Sequence, residues 1–446
     1  MKAVHRCFWV LLCLGFISSI WAQDRGQITR LAKHFTPQQR MAALLSKSRM
    51  TTHPGSYRAP ANAPDKSRVW DLGVYPGGSA SALQGVNDFG VAMGWGDVPI
   101  EGGTETRMIG VPLFGSKVGQ WFDSGLAAGE DDTAEAGGIS NTGMIVGNIM
   151  DSNGWPVAYA WIPNQGGFLL GKYADDDGSI AIAINHSGTL IVGNSGKLLE
   201  DGTVRATPLV WTSKVIWNHG QPTLSWKMHV LPTGGWEKPG AVFDGIALIA
   251  WGGEGVNDSG QIAGDGWFYD PVLDQYWEIA VVWTPIEGTK KWKIQRLPKS
   301  ADLAYNEALA INDLGEIAGD VWGFDSDKFQ GALPALWSMR NGKTWSLRVL
   351  PTTSGLDYGW NVAWGINELG DLVGYCTDEN WIGKATRWNT HNRGFVKNLE
   401  FPGDTSGAFA VNSQAIAVGY YQSIVSYDED GNPIFGPPQA VAVQFR

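Results

Sequence analysis

The sequence predicts an all-β fold, a seven-bladed β-propeller with four antiparallel strands per blade, and three observations predict it. Glycine supplies 59 of 446 residues, nearly twice average usage, with no G-X-Y period, which demands many turns. The chain has 23 tryptophans and 11% aromatics but no long helical periodicity to bury them. An Asn-Asp-x-Gly unit followed by an apolar run ending in Gly recurs seven times, starting at Asn87, Ser140, Asn185, Asn257, Asn312, Asn367 and Asn412. The intervals of 53, 45, 72, 55, 55 and 45 residues are blade-sized.

Residues 1–22 read as a signal peptide: Lys2 and Arg6, an apolar run from Phe8 to Ile20, then Ala22 before Gln23. This predicts a secreted or periplasmic protein. No later run approaches 18 apolar residues, so no transmembrane segment is expected in the mature chain. Cys7 and Cys13 leave with the leader and only Cys376 remains, so packing rather than disulfides must hold the fold. Residues 23–67 form a basic arm, with eight basic side chains against Asp24 and Asp65. Thr36-Pro37-Gln38-Gln39 has the cap, proline and capping-box glutamine of a helix start. Pro54, Pro60 and Pro64 mark a linker from 51 to 67. With −11 overall, residues 68–446 carry −19, which excludes nucleic acid as a general partner.

From residue 68 onward the repeat assigns the strands. Val86, Ile139, Ile184, Val256, Ile311, Ile366 and Val411 precede the turns, and one step earlier stand Gly85, Gly138, Ala183, Gly255, Ala310, Gly365 and Ala410. Small residues on one face let innermost strands converge on an axis, and β-branched residues on the other suit a strand. The third strand closes on Phe114, Trp161, Trp211, Trp283, Trp337, Trp388 or Phe445, read as filler in the widening gap between blades. A fourth strand ends in Leu with Gly or Pro after it, as at Leu170-Gly171, Leu231-Pro232, Leu297-Pro298 and Leu350-Pro351. Proline there suits an outer edge. An unmatched fourth-strand copy, Val69-Trp70-Asp71-Leu72-Gly73, precedes the first unit and is expected to complete the seventh blade and close the ring.

The run Trp70-Asp71-Leu72-Gly73, Pro76-Gly77-Gly78 and Val86-Asn87-Asp88-Phe89-Gly90 resembles the HAF family of bacterial extracellular repeat proteins, whose units look like DLGxLPGG, INDxGxVVG and HAFxW. The resemblance covers roughly residues 68–446 and implies propeller-like repeats and export, with no particular chemistry. The family's third-strand His is replaced by Gly110, Val157, Thr207, Ile279, Leu333, Lys384 and Val441.

Strand order sorts the loops onto two faces. Loops from fourth to first strands and from second to third share one face; the Asn-Asp-x-Gly turns and the three-to-four loops share the other. The first face collects acids and rings, and its candidate ligand-binding residues are Asp131, Asp132, Asp176, Asp177, Trp95, Trp155, Trp236, Trp322, Tyr358, Trp360, Trp381 and Tyr420. Rings stack on apolar sugar faces and acids accept hydroxyl hydrogen bonds, so this composition points to a monomeric binding protein for a glycan or a partner protein at the cell surface. The alternatives are a carboxylate-dependent polysaccharide-cleaving enzyme on the same face and a structural cell-surface repeat protein. Local packing and solvated acids explain any single residue. His186, His219, His229 and His391 map to the opposite face or the rim, which disfavours histidine-based catalysis. No other cofactor is implied, but Asp428, Asp430 and Asn432 form a weak calcium candidate, as does Asp151-Ser152-Asn153-Gly154; both are first of all turn sequences.

Overall fold

The computed structural model describes residues 67–124, 134–163, 166–198, 200, 204–218, 221–233, 255–270, 275–301, 303, 305–325, 328–340, 342–355, 359–429 and 431–445. The expected leader and basic arm lie outside them. Seven small antiparallel sheets form the seven-bladed propeller. Blade 1 runs Ser81–Val86, Val91–Ile100, Gly103–Pro112 and Phe122–Asp123, and blades 2, 3, 5 and 6 repeat that sequential order. In blade 4 the named strands are Ile262–Asp270, Gln275–Pro285 and Trp292–Arg296, and its inner edge is a Val256 bridge to Ile262. Blade 7 combines Thr405–Val411, Ile416–Gln422 and Gln439–Gln444 with the N-terminal strand Arg68–Gly73, which closes the ring as expected. A two-stranded hairpin, Ile424–Tyr427 with Pro433–Phe435, stands on blade 7 between its second and third strands.

Six innermost strands, all but that of blade 4, show the same irregularity among the described residues. The register against the second strand shifts at Leu83/Gly85, Ala136/Gly138, Ala181/Ala183, Ala308/Ala310, Ala363/Gly365 and Ala408/Ala410. A bulge of this kind brings an inner-strand carbonyl over the second strand. That is why the second-strand motif ends in Gly: a Cβ on Gly374 would lie 1.8 Å from the Val362 carbonyl, and Gly94, Gly193, Gly319 and Gly419 meet the same obstacle. Several bulged residues are large and apolar. Leu309 joins Ala206, Val362 and Tyr375 in one buried cluster with Trp364 packed against it, so blades 3, 5 and 6 meet across the axis.

The turns stitch blades together. The Asn87 side-chain carbonyl accepts from its own turn, at Val91 N–H (3.0 Å), while its amide donates to the Ser140 carbonyl of the next blade (3.1 Å). Asn257 reaches Asn312, Asn312 reaches Asn367, Asn367 reaches Asn412, and Asn412 reaches Asn87 across the closure, each to the backbone carbonyl at 2.9 to 3.0 Å. The turn glycines have φ between 68° and 81°, and Ala415 in the seventh copy holds the same left-handed conformation at 56°.

The third-strand rings fill the gaps as expected, and they do more than fill. The indole N–H groups of Trp211, Trp283, Trp337 and Trp388 donate to the carbonyls of Leu170, Pro232, Pro298 and Pro351 on the preceding blade, at 2.7 to 3.1 Å. The Leu at the end of the fourth strand donates its own N–H inward, Leu350 to the Pro334 carbonyl and Leu297 to that of Ala280. Burial of each indole contributes about 2 to 3 kcal/mol, and the paired N–H avoids a buried orphan. Cys376 is buried, and burial pushes its thiol up to about 11, so it is an inert core residue.

Candidate functional site

Alternating strand direction places the loops from second to third strands and from fourth to first strands on one face, and the sequence-derived candidates divide sharply there. Trp381 is presented to solvent, 37% exposed, in the loop between the second and third strands of blade 6. Its backbone is left-handed, with φ of 63°, a region bulky side chains rarely enter. The loop is an Asx turn: Asp378 accepts from Asn380 and Ile382 N–H through Oδ1, and its carbonyl accepts from Trp381 N–H at 3.0 Å. Asp151 in blade 2 and Asp428 in blade 7 build the same turn, and there the left-handed residue is Gly154 or Gly431. Blade 6 alone of the three puts an indole where the backbone asks for glycine. On blade 7, next to it, the hairpin exposes Tyr427 and Val425.

Other candidates form the wall beneath the loops rather than its surface, because the inner ends of the blades converge and enclose them. Trp322 is 1% exposed, stacked on Tyr305 at 4.0 Å, and donates its indole N–H to Glu278 Oε2 at 3.0 Å. Trp360 is half-buried against that pair and takes Thr377 Oγ1 with its backbone N–H. Trp95 and Tyr420 are buried in one cluster with Phe409, Trp364 packed against it. Trp155 is half-buried against Ile180 and Ile182. Asp176 is buried, whereas Asp177 accepts Leu198 N–H (2.8 Å) and lies 3.6 Å from Lys197 Nζ, securing the loop onto blade 3. Asp131, Asp132, Trp236 and Tyr358 lie outside the described residues, as does Asp430. Of the calcium candidate, both Asp428 carboxylate oxygens accept hydrogen bonds from Asn432 within the hairpin turn.

Sequence reasoning named Trp95 and Tyr420 but missed the belt they belong to, formed by the residues immediately after the second-strand glycine. Around the ring Trp95, Asn194, Asp265, Asp320, Tyr375 and Tyr420 are buried, and the blade 2 counterpart Asn148 is half-buried. Blades 6, 7 and 1 thus bring rings, while blades 3 to 5 bring an amide and two carboxyls, with buried Glu278 beside them. The signal was present as a fixed position in the repeat, once the glycine is understood as the bulge partner.

Histidines stay off this face among the described residues. His229 pairs with Thr212 at the rim of blade 3, its charge disfavoured first by burial and then by Lys227 and Lys290. His391 is exposed in a three-to-four loop of blade 6, and His186 is buried in a turn on the opposite face.

No protein-family model matches the chain, and no curated protein matches it. Among solved structures it is similar to Trypanosoma rangeli sialidase, at 12% identity and a TM-score of 0.40 over 86% of this chain and 60% of that one. The same sialidase in complex with the inhibitor DANA gives 12% identity and 0.39 over 87% and 60%. A mutant of AofleA from Arthrobotrys oligospora gives 11% and 0.33 over 79% and 96%. The chain spans about 60% of the length of the sialidase chains it matches. No described helix is long and apolar enough to cross a membrane.

Proposed function

We propose that this propeller is an exported, HAF-like binding protein that recognises a glycan through its acidic, aromatic loop face. The observation that carries the reading is Trp381. A left-handed tryptophan costs about 1 to 2 kcal/mol relative to glycine, and its ring is then left partly in water. An exposed, backbone-strained indole is understandable as a preformed stacking platform. Tyr427, exposed on the hairpin of the next blade, is a second candidate ring, and Asp404 sits in the loop entering blade 7, where its carboxylate takes Ile424 N–H at 2.8 Å.

The test is glycan-array binding by the full chain, with Trp381→Ala and Tyr427→Ala. Loss of binding by at least tenfold in Trp381→Ala, with the thermal midpoint retained, supports the reading; unchanged binding, or no glycan bound by the parent chain, refutes it. A second reading, a carboxylate-dependent glycan-cleaving enzyme, is favoured by one observation: the adjacent blades 4 and 5 each bury carboxyls, Asp265 and Glu278 on one and Asp320 on the other. It requires new reducing ends or unsaturated products, abolished in Glu278→Gln.

A further inference from the structure

At the axis, on the face formed by the Asn-Asp-x-Gly turns, the residue after each turn Asn points the repeat at its own centre. These are Asp88, Asn141, His186, Asp258, Asp313, Glu368 and Ser413. They form a nearly continuous chain of contacts from blade to blade. Asp88 N–H donates to Asn141 Oδ1, Ser187 N–H to Asp258 Oδ1, Asp258 N–H to Asp313 Oδ1 and Asp313 N–H to Glu368 Oε1, at 2.7 to 3.0 Å. Ser413 N–H returns to Asp88 Oδ1 at 3.2 Å.

Within this ring, ligand atoms of His186, Asp313 and Glu368 lie within 4.8 Å of one another. They come from blades 3, 5 and 6, so no local turn brings them together; the closed ring does. His186 is 2% exposed and directs Nδ1 toward Asp313 Oδ2 at 3.4 Å. Burial holds this imidazole neutral, the form that ligates metals. The charges acting on Asp313 and Glu368 come from Asp258, Asp88 and Glu316, all acidic. A buried nitrogen donor and two half-buried carboxylates, without a basic side chain among those charges, form a donor set suited to a borderline divalent cation rather than a purely hard one.

We propose that His186, Asp313 and Glu368 bind one divalent cation of the zinc class at the axial end of the turn face, clasping blades 3, 5 and 6. The cation neutralises the converging carboxylates and ties blades that share no sheet. Water completes its coordination from the solvent side, where Asp313 and Glu368 are partly exposed. The site is independent of the loop face, and so of the function proposed above.

The full chain, stripped with a chelator, is dialysed against ZnCl2 and analysed for retained metal, alongside Glu368→Gln and His186→Asn. Glu368→Gln keeps an oxygen for Asp313 N–H, and His186→Asn installs the residue blade 2 carries at that place, so both are built to fold; circular dichroism confirms it. The expected result is one zinc per chain, a raised thermal midpoint, and at least tenfold weaker retention in both variants. Cobalt provides a second readout on the unmodified chain, a visible absorption band lost on adding zinc. Failure of the parent chain to retain zinc overturns the proposal. So does equal retention by both variants, or a thermal response to calcium and not to zinc.

Discussion

Glutamate 368 offers the sharpest prediction, because burial and the neighbouring Asp313, Asp88 and Glu316 push its carboxyl from 4.5 up to about 8. Between those values the unfolded chain gives up its proton while the folded chain keeps it. Stability therefore falls as pH rises through the window and levels off above 8. At about 1.36 kcal/mol per unit the whole window amounts to about 5 kcal/mol, of which about 2 kcal/mol falls between pH 6.5 and 8. That upper portion isolates Glu368. His186 drops from 6.5 to about 3, so its destabilisation develops only as pH falls below 6.5, and Asp313, at about 6, has largely titrated by then. For a propeller of roughly 380 residues, 2 kcal/mol corresponds to a midpoint shift of about 2 to 3 °C. Thermal unfolding of the chelator-treated chain at pH 6.5 and pH 8 should show that fall, and Glu368→Gln should be nearly flat between the two and more stable than the parent at pH 8. Equal slopes in parent and variant would refute the electrostatic account of the ring.

Ala415→Gly should raise stability by about 0.5 to 1 kcal/mol, since glycine relieves the left-handed alanine at φ 56° and gives back part of the gain as unfolded-chain entropy; a lower midpoint in calorimetry would count against it. Gly374→Ala should cost more than about 3 kcal/mol, because the obstacle at 1.8 Å is backbone and cannot rotate away, with urea unfolding as the measurement and a near-neutral result as the contrary outcome. Trp388→Phe removes the N–H donated to the Pro351 carbonyl at 2.7 Å while keeping most of the ring, and should cost about 1 to 3 kcal/mol in the same assay.

What the sequence made legible was whatever repeats. The small residue at 85, 138, 183, 310, 365 and 410, the branched residue after it, and the unmatched strand at Val69 required a closed seven-blade ring, and the structure has it. The partners of the repeated residues were harder to read. Nothing in a single unit says that Trp283 donates to Pro232 on the preceding blade, or that Asn312 reaches Asn367, because those distances depend on how tightly neighbouring blades pack. Exposure was hardest of all. Trp322, Trp95 and Trp381 look alike in sequence, yet two are enclosed where blades converge and the third stands out from a turn.

The departures from the repeat are where function has room to act, since a residue that simply maintained the ring would match its six counterparts. Asn185 does not reach the following blade and instead bonds Ser187 and Thr189 within its own turn, and the residue beside it is His186 rather than an acid. Were that place another aspartate, the ring would gather one more negative charge at the axis, where Asp313 and Glu368 are already held partly protonated near neutral pH. An imidazole adds no such charge and offers a nitrogen. On the opposite face Trp381 departs in the complementary sense, replacing the glycine that Asp151 and Asp428 turns retain. Trp381 opposes what local backbone stability alone would select, whereas His186 spares the axis a charge. A ring already stabilised by interblade indoles and turn asparagines can tolerate the strained indole, so the proposed glycan platform and the proposed cation site fit on opposite ends of one axis.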